Sequence, residues 1–439
     1  MSNLSRKVLN SNLNKAIKGL EIYPADHRLP IKIKTVKGLR RGRPRPIKEE
    51  LSSLSLIEKS GVLQWVDDLG FSGRGKEPSR RGRGDGAKKN IVTQLKFRSL
   101  EPSQIGNTLE KLDIKLNKQR GLRQWSSINS AVGAQPVPKG KILLFIHGTF
   151  SSSEGAFKGI SLNPDGTPFI AKILNKYDQI LSFDHPTLSV SPILNALDLE
   201  RAFEGSKAKV DIICHSRGGL VARWWGEVLN KFPGRFGKVI FVGSPLGGTS
   251  LAAPPKLRYT LNYLTNVAEA IGVGSKIASS AVPIFSFVTV LLKILSSITR
   301  IGAKTPLIDA AIAMIPGLVA QSRVGDNFPL EKLREGIDPT FSQKYFSIRS
   351  NFEPTAPEWK FWEYFNDPLT RVADYGADAI FRDDNDLVVD SISMAELSDK
   401  QNIPMTRTHN FGTNAIVHHL NYFEQPETLK FILKSLKIP

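Results

Sequence analysis

The sequence predicts an α/β protein built on a mainly parallel, doubly wound sheet. From Lys141 onward, short apolar runs typical of buried strands alternate with segments of helical periodicity, as in parallel sheets covered by helices. One run, Val210–Cys214, passes through a serine-bearing turn into a helical pattern that begins at Leu220. The predicted strands of this sheet cover residues 141–146, 179–183, 209–214, 238–243, 344–349 and 378–381.

The turn His215-Ser216-Arg217-Gly218-Gly219 is the first candidate for chemistry. A sharp turn between a strand and a helix exposes a serine hydroxyl at the sheet edge, beside the free N–H groups of the helix N-terminus. We therefore predict Ser216 as a nucleophile. Cys214 stands where the usual motif has a glycine, and its small thiol can be accommodated there. A serine before two glycines is also an ordinary turn signal, so the prediction depends on partners elsewhere in the chain.

A second segment supplies candidate oxyanion donors. The predicted strand 141–146 runs into His147-Gly148-Thr149, and a His-Gly pair after an early strand opens the loop that donates an oxyanion hydrogen bond in hydrolases. We predict the backbone N–H groups of Thr149 and Arg217 as the two donors. His147 is predicted to hold this loop, because it lies far upstream of the expected base.

The orienting carboxylate is expected within the acidic turn of Phe381–Asp390. Asp386 is preferred, because it directly precedes an apolar triplet and so falls on the turn after a strand. Asp383 and Asp384 are the alternatives, and a solvated acidic turn is the non-catalytic interpretation. We find no regular calcium-loop spacing in this segment.

The general base is expected last in the chain. Of the adjacent pair His418 and His419, we predict His419, because its spacing to Pro426 and the terminal helical pattern fits the histidine loop of related hydrolases. His418 stays open as the alternative. The order Ser216, Asp386, His419 is the chain order of the triad in one class of serine hydrolases.

These segments together resemble the bacterial lipase-like α/β-hydrolases from about Gly121 to the C-terminus. The resemblance implies an α/β-hydrolase fold with Ser216 as nucleophile, Asp386 as orienting acid and His419 as base. No acidic residue follows His419 like the one that binds calcium in some secreted bacterial lipases, so we predict no metal and no cofactor. The segments that carry the resemblance are Phe145–Phe157, Phe183–Leu188, His215–Val221, Val242–Thr249, Asn385–Val389 and His419–Phe423.

Charge and length predict three parts. Residues 1–140 hold 29 Lys and Arg against 12 Asp and Glu, so they carry +17 of the net charge of +19 on the 439-residue chain. We predict a basic N-terminal extension with short strands at 1–120, an α/β-hydrolase domain at 121–439 and an apolar cap or lid inserted in it at 246–340.

The predicted cap contains two apolar runs, Ser279–Leu295 and Pro306–Val319. Proline and charged residues interrupt both, so neither reaches the roughly 20 apolar residues that span a bilayer. They are either buried cap helices or a lid that binds acyl chains at a lipid surface. Each buried methylene contributes about 0.8 kcal/mol, so an apolar lid would favour long acyl substrates.

The basic extension predicts an anionic partner. Arginine clusters at residues 40–46 and 80–83 attract phosphates, so an anionic membrane surface or an acidic protein is expected. Few aromatic residues interleave with these arginines, which disfavours nucleic acid. The basic helical pattern of Met1–Leu20 fits either a membrane-surface helix or one packed on the protein body.

One cysteine excludes an intrachain disulfide, and Met1–Leu20 lacks the apolar core of a secretory signal. Both observations fit a cytoplasmic protein, peripheral to a membrane if the basic extension binds lipid. The function that the sequence favours is hydrolysis of carboxylic esters, as a lipase or phospholipase. Acyl transfer or thioester hydrolysis by the same triad is one alternative, and a non-catalytic membrane or nucleic-acid binding module on the same fold is the other.

Overall fold

A computed structural model shows the fold of the chain. It describes residues 3–27, 33–35, 46–48, 51–67, 91–98, 100, 102–125, 136–162, 169–232, 234–252, 257–274, 281–299, 315–323, 327–335, 337–366 and 384–438. The predicted strand at 378–381, the candidate Asp383 and the arginine clusters at 40–45 and 80–83 lie outside these residues.

The strands and helices alternate along the second half of the chain. The strands are β1 (Ile22–Pro24), β2 (Ile33–Thr35), β3 (Pro46–Lys48), β4 (Leu51–Lys59), β5 (Val62–Asp67), β6 (Ile91–Arg98), β7 (Gly121–Gln124), β8 (Lys141–Ile146), β9 (Gln179–Asp184), β10 (Lys209–His215), β11 (Phe236–Val242), β12 (Tyr345–Phe352), β13 (Glu396–Ser398), β14 (Gln401–Asn402) and β15 (Thr408–Asn414). The helices are α1 (Asn3–Ile17), α2 (Ile105–Leu116), α3 (Ser153–Phe157), α4 (Phe169–Leu174), α5 (Pro192–Ala202), α6 (Gly218–Arg223), α7 (Leu257–Gly274), α8 (Val282–Thr299), α9 (Pro316–Val319), α10 (Phe328–Arg334), α11 (Pro339–Ser342), α12 (Phe361–Asn366) and α13 (Pro426–Leu436).

Backbone contacts divide the chain into two compact units. The first comprises Met1–Thr108, Arg258–Ala311 and Glu358–Tyr364, and the second comprises Leu109–Leu257, Ile312–Pro357 and Phe365–Pro439. Much of the segment predicted as a cap therefore groups with N-terminal residues. The predicted boundaries at residue 120 and at 246–340 stay predictions.

The first unit contains an antiparallel sheet of order β1-β6-β4-β5. Its β4–β5 hairpin closes through Ser60 and Gly61, both with positive φ (52° and 81°), which is the geometry of the two-residue turns that match strand twist. Helices α1 and α8 pack together, and the Ser286 hydroxyl on α8 donates to the Ala16 carbonyl at 3.1 Å. Among the helices of the described residues, none combines the length and the apolar character that crossing a bilayer requires.

The second unit is organised by a seven-stranded sheet of order β15-β12-β11-β10-β8-β9-β7. All neighbours are parallel except the edge strand β7, which pairs antiparallel with β9. The mainly parallel α/β fold predicted from the sequence is therefore confirmed, and strands β8 to β12 start and end within three residues of the prediction. The helical cap and the basic extension stay predictions.

Both faces of this sheet are buried, as a doubly wound arrangement requires. In β8, Ile142 and Leu144 enter one apolar core with Trp225, whereas Leu143 and Phe145 enter the other. A fully buried apolar side chain of this size stabilises the fold by about 1.5–3 kcal/mol. The period-two alternation thus fixes which residues of β8 face each layer of helices.

The position of β8 creates the place for a site. The chain leaves β8 for β9 on one side and returns for β10 on the other, so the strand order reverses between β8 and β10. In open α/β sheets, ligands bind outside the carboxyl ends of the strands at such a switch point. The loop after β8 and the turn after β10 both lie there.

Candidate active site

Ser216 occupies a strained turn between β10 and α6. Its φ is +52°, a left-handed backbone that costs a residue other than glycine of order 1–3 kcal/mol. The turn is held on both sides: the Ser216 N–H donates to Val242 at the end of β11 (2.9 Å), and the Gly219 N–H donates back to the Ser216 carbonyl (3.0 Å). Strain maintained by such contacts is typical of functional positions.

The glycine after the turn is required by close packing. A Cβ at Gly218 would lie 2.3 Å from the Ile146 carbonyl oxygen, so only glycine lets the first turn of α6 approach the end of β8. Cys214, at the position of the missing motif glycine, is fully buried in the core with its Sγ 3.4 Å from the Ile240 carbonyl. A small side chain therefore fits where the usual motif has none.

An imidazole and a carboxylate form a buried pair beside this turn. His419 Nδ1 lies 2.8 Å from Asp386 Oδ2, and the His419 backbone N–H donates to the Asp386 carbonyl at 2.8 Å. Because the carboxylate accepts the Nδ1 proton, neutral His419 keeps Nε2 free as a proton acceptor. This is the arrangement that a general base requires.

Three further donors fix the Asp386 carboxylate. Oδ1 accepts from the N–H groups of Val388 (3.1 Å) and Val389 (2.8 Å), and Oδ2 accepts from the Tyr422 hydroxyl (3.0 Å). Burial, and then the Asp386 charge, raise the pKa of Tyr422 far above its ordinary value, so the phenol remains a donor. Leu387, the next residue, is fully buried with φ +90°, a second strained position in the site.

His215 ties the strand of the serine to the loop of the base. Its Nε2 lies 2.9 Å from the His419 carbonyl oxygen, and the two rings are 4.8 Å apart. Burial, and then the neighbouring His419, lower the pKa of His215 to about 3, so it is neutral and Nε2 carries the donated proton. His215, the residue before Ser216, is thereby in direct contact with His419, the predicted base.

The Ser216 hydroxyl has no hydrogen bond to His419 among the described residues. In free enzymes this contact is often long or poorly aligned and shortens when substrate binds. Ser216 is only 4% exposed and His419 is likewise 4% exposed, so both side chains lie in a largely desolvated environment.

The alternative base, His418, and the alternative acid, Asp384, have different surroundings. His418 accepts the Leu420 N–H on Nδ1 at 3.2 Å and packs against the edge of Phe352, and burial lowers its pKa to about 4. Asp384 is exposed, whereas Asp386 is fully buried. The structure thus brings His419 and Asp386 together and leaves His418 and Asp384 outside the pair.

The two predicted oxyanion donors are both available. Within the described part of the chain, the backbone N–H groups of Thr149 and Arg217 have no hydrogen-bond acceptor. Arg217 directly precedes α6, so its N–H belongs to the helix N-terminus. A Cβ at Gly148 would lie 2.6 Å from Ser216 Cβ, which shows how closely the loop of Thr149 approaches the serine.

The side chain of Arg217 has a separate, structural role. It is fully buried, and its Nη2 donates to the Val190 carbonyl (2.6 Å) and to Asn195 Oδ1 (2.7 Å). Burial lowers the pKa of this guanidinium to about 9. Only its backbone N–H is placed to act on an oxyanion.

The oxyanion loop is held from both ends. His147 Nε2 accepts the His185 backbone N–H at 3.1 Å, which leaves the proton on Nδ1 for the Gly148 carbonyl at 2.9 Å. Burial lowers the pKa of His147, so the ring is neutral. Phe150, with φ +59°, donates its N–H to Thr187 Oγ1 at 3.4 Å. His147 thus holds the loop, as the sequence predicts, and lies outside the imidazole–carboxylate pair.

A family model described as "Domain of unknown function (DUF7379)" matches residues 113–437. The chain belongs to this family. The match includes every predicted site residue, from Thr149 to His419, and both sides of the switch point. No curated protein matches the chain.

Solved structures similar to this DUF7379 chain include three bacterial proteins. The mature lipase BlEst2 of Bacillus licheniformis is 14% identical, with 72% of this chain and 98% of that chain covered and a TM-score of 0.33. EstA from Clostridium botulinum is 12% identical (76% and 98% covered, TM-score 0.37), and lipase 1 from Pelosinus fermentans is 13% identical (68% and 98% covered, TM-score 0.37). Identities and TM-scores this low leave the activity to be argued from the site itself.

The roles of three residues at this candidate site could not be identified from the sequence. His215 and Tyr422 lie in motifs that the sequence singles out, but their partners are 204 and 36 residues away. Gln321, whose side chain contacts Thr149, lies in a segment without a recognisable motif. Among the described residues, no group of three or more His, Cys, Asp and Glu side chains could hold a metal ion.

Proposed function

We propose that this protein is a serine hydrolase that cleaves carboxylic esters. The observation that carries the proposal is the buried pair of His419 and Asp386, joined at 2.8 Å, beside the strained turn of Ser216. Two backbone N–H groups without acceptors at the same switch point complete the set of parts that acyl transfer to a serine needs. Ser216 is the nucleophile, His419 the base and Asp386 the orienting acid.

The reaction proceeds through an acyl-enzyme. Ser216 Oγ attacks the ester carbonyl carbon while its proton passes to His419 Nε2, and Asp386 stabilises the imidazolium. The N–H groups of Thr149 and Arg217 bind the oxyanion, and one such donor contributes about 2.7–4 kcal/mol. His419 returns the proton to the leaving alcohol as the carbon–oxygen bond breaks. Water then attacks the acyl-enzyme with His419 again as base, which releases the acid and restores Ser216.

A fluorophosphonate probe tests the nucleophile. We expect the full-length protein to be labelled at Ser216 and Ser216→Ala to be neither labelled nor active on esters. Ser206→Ala is the matched control, because the Ser206 hydroxyl is bonded to the Pro138 carbonyl (2.7 Å) at the opposite, amino-terminal side of β8. Labelling that persists in Ser216→Ala would exclude this serine.

We extend the proposal to lipase or phospholipase activity on long acyl chains. The apolar sequence of α8 and of the predicted cap supports it, as does the basic N-terminal extension, which suits anionic lipid surfaces. A series of esters of increasing acyl length, assayed with and without anionic vesicles, tests both points. Long-chain preference with salt-sensitive activation by vesicles is expected; a sharp preference for short esters and indifference to vesicles would restrict the function to an esterase.

A further inference from the structure

Gln321 reaches the loop of the predicted oxyanion hole from a distant part of the chain. It follows α9 and is 5% exposed. Its Oε1 accepts a hydrogen bond from the Thr149 hydroxyl at 3.0 Å, and its Nε2 donates to the Gly317 carbonyl at 2.6 Å. One side chain therefore links α9 to the residue whose N–H is a candidate oxyanion donor.

The orientation of the Gln321 amide follows from its partners. The Gly317 carbonyl can only accept, so the amide nitrogen must face it and the amide oxygen must face Thr149. The Thr149 hydroxyl is then the donor, which selects one rotamer of this side chain. Because a β-branched side chain is stiff at χ1, fixing the hydroxyl of Thr149 also fixes its Cβ relative to the backbone.

Gln321 is itself firmly held. Its backbone carbonyl accepts the Thr249 N–H at 2.8 Å, and its N–H donates to the Leu318 carbonyl at 2.8 Å. Gly317, at the start of α9, donates its N–H to the Leu188 carbonyl at 3.0 Å. These bonds fix the segment 315–323 against the loops that follow β9 and β11, so the Gln321 side chain is anchored rather than loosely placed.

The contact with Gln321 bears on Thr149 because the backbone hydrogen bonds of the loop are made by its neighbours. His147 and Phe150 hold the two ends of the loop, but the Thr149 N–H has no acceptor among the described residues. Phe150 is in a strained left-handed conformation, so the loop gains by relaxing if the restraint is lost. An oxyanion donor acts only when it lies about 2.7–3.1 Å from the oxyanion.

We propose that Gln321 is a positioning residue that fixes the Thr149 N–H for the oxyanion. This inference rests on the proposed function and deepens it. Gln321 acts through Thr149, and its bond to the Thr149 hydroxyl is the contact that Gln321→Ala and Thr149→Val both remove. Gln321→Ala also removes the bond to the Gly317 carbonyl, so Thr149→Val is the more selective change. The oxyanion hole is complete only while the segment 315–323 stays in contact with the loop after β8.

Four variants of the full-length protein test the proposal: Gln321→Ala, Thr149→Val, Thr149→Ser and the double variant Gln321→Ala/Thr149→Val. We expect Gln321→Ala and Thr149→Val each to lower kcat about tenfold to a hundredfold with KM changed by less than about twofold, a smaller loss than the 10²–10³-fold expected for removing a donor. Thr149→Ser keeps the hydroxyl and retains most of the activity. The double variant is no worse than Gln321→Ala alone, because Thr149→Val removes a hydrogen bond that Gln321→Ala has already removed.

An alkyl boronic acid supplies a readout that a merely structural role would not change. Its tetrahedral adduct with Ser216 places an oxygen in the oxyanion hole, so its inhibition constant rises by the same factor as kcat/KM falls. Gln401→Ala is the matched control, because Gln401 also bonds a hydroxyl (Ser342, 2.7 Å) but lies in β14. Rates are expressed per serine titrated with fluorophosphonate, which removes the effect of unfolded protein.

The outcomes separate the two proposals. If the wild type is neither labelled nor active, the proposed function fails. If the wild type is active and Gln321→Ala has the same kcat per titrated serine and the same boronate affinity, the role of Gln321 is refuted. Should Gln321→Ala not fold, Thr149→Val against Thr149→Ser decides the same question, because only the valine lacks the hydroxyl that Gln321 binds.

Discussion

The Nε2–H of His215 donates a hydrogen bond to the backbone carbonyl of His419 at 2.9 Å. His215 is the residue before the predicted nucleophile, and His419 is the predicted base. A neutral, buried imidazole thus joins the end of β10 to the histidine loop by a bond that involves neither functional side chain. The distance between nucleophile and base depends on this contact.

Removing the His215 side chain is expected to impair catalysis. His215→Ala leaves the buried His419 carbonyl without its donor and lets the base loop shift, so kcat/KM falls by about tenfold to a hundredfold. His215→Gln restores a donor near the position of Nε2 and recovers part of the loss. The control is His409→Ala, since His409 lies in β15 and packs edge-on against Phe411. Equal activity of His215→Ala and the wild type in an ester assay would remove the proposed link.

His215 also predicts how stability depends on pH. Its pKa is about 3 in the folded protein against 6.5 ordinarily, because burial disfavours the charged ring. Below pH 6.5 this imidazole binds a proton in the unfolded chain but not in the folded chain. The contribution of His215 to stability is therefore fully present above pH 6.5 and is lost as the pH falls towards 3. Between pH 6 and pH 4, the free energy of unfolding of His215→Gln should therefore rise relative to that of the wild type by at most about 1.4 kcal/mol per unit of falling pH. Denaturant unfolding across this pH range measures the difference between the two proteins. A difference in free energy of unfolding that does not change with pH would contradict the prediction.

Tyr422→Phe is expected to move the pH profile. Without the phenol, Asp386 Oδ2 keeps the bond to His419 Nδ1, while Oδ1 still accepts the N–H groups of Val388 and Val389. The imidazolium is then better stabilised, so the acidic limb of the pH profile of kcat/KM moves to higher pH by about 0.5–1 unit, as one hydrogen bond of about 1 kcal/mol implies.

The matched control for this change is Tyr345→Phe. Its hydroxyl likewise is buried and donates to a carboxylate, Glu227 Oε1, at 2.6 Å, but it lies outside the candidate site. The control should lose stability without any movement of the profile. A shift of the same size in both variants would show that the effect is not local to Asp386.

Asp386→Asn tests the orienting acid. The amide has one oxygen, which the N–H groups of Val388 and Val389 retain, so its NH2 group faces His419 Nδ1 and donates to it. The imidazole is then held in the wrong tautomer, and kcat falls by about 10⁴-fold. Asp384→Asn, two residues away and exposed, should leave ester hydrolysis unchanged. The reverse result in a steady-state assay would assign the acid to Asp384.

Local patterns in the sequence explain most of what could be predicted. The strands β8 to β11 are apolar runs whose alternate residues enter two cores, and the serine turn is a short motif with its own geometry. The pairing of His419 with Asp386 is predicted from the acidic turn, the histidine pair and their order in the chain. Each strand and each motif is recognised from residues within a few positions of one another, although His419 and Asp386 themselves are 33 residues apart.

Helix α2 shows why other parts could not be predicted. Asp113 is buried, and its carboxylate accepts the backbone N–H groups of Thr187, Leu188 and Ser189. A charged residue on the inward face of a helix breaks the apolar spacing that would reveal it. Tyr422, His215 and Gln321 are similar, since their roles depend on partners brought close only by the folded chain.

The left-handed residues Phe150, Ser216 and Leu387 have a practical consequence for protein engineering. Each lies at or next to one of the groups assigned to chemistry, and each holds its turn in a conformation that glycine would adopt without cost. Selection for heat resistance alone would favour substitutions that remove the strain in these turns. The resulting variants would have a higher melting temperature and a lower rate of ester turnover. A screen for stable variants of this protein therefore has to measure activity as well as residual folded protein.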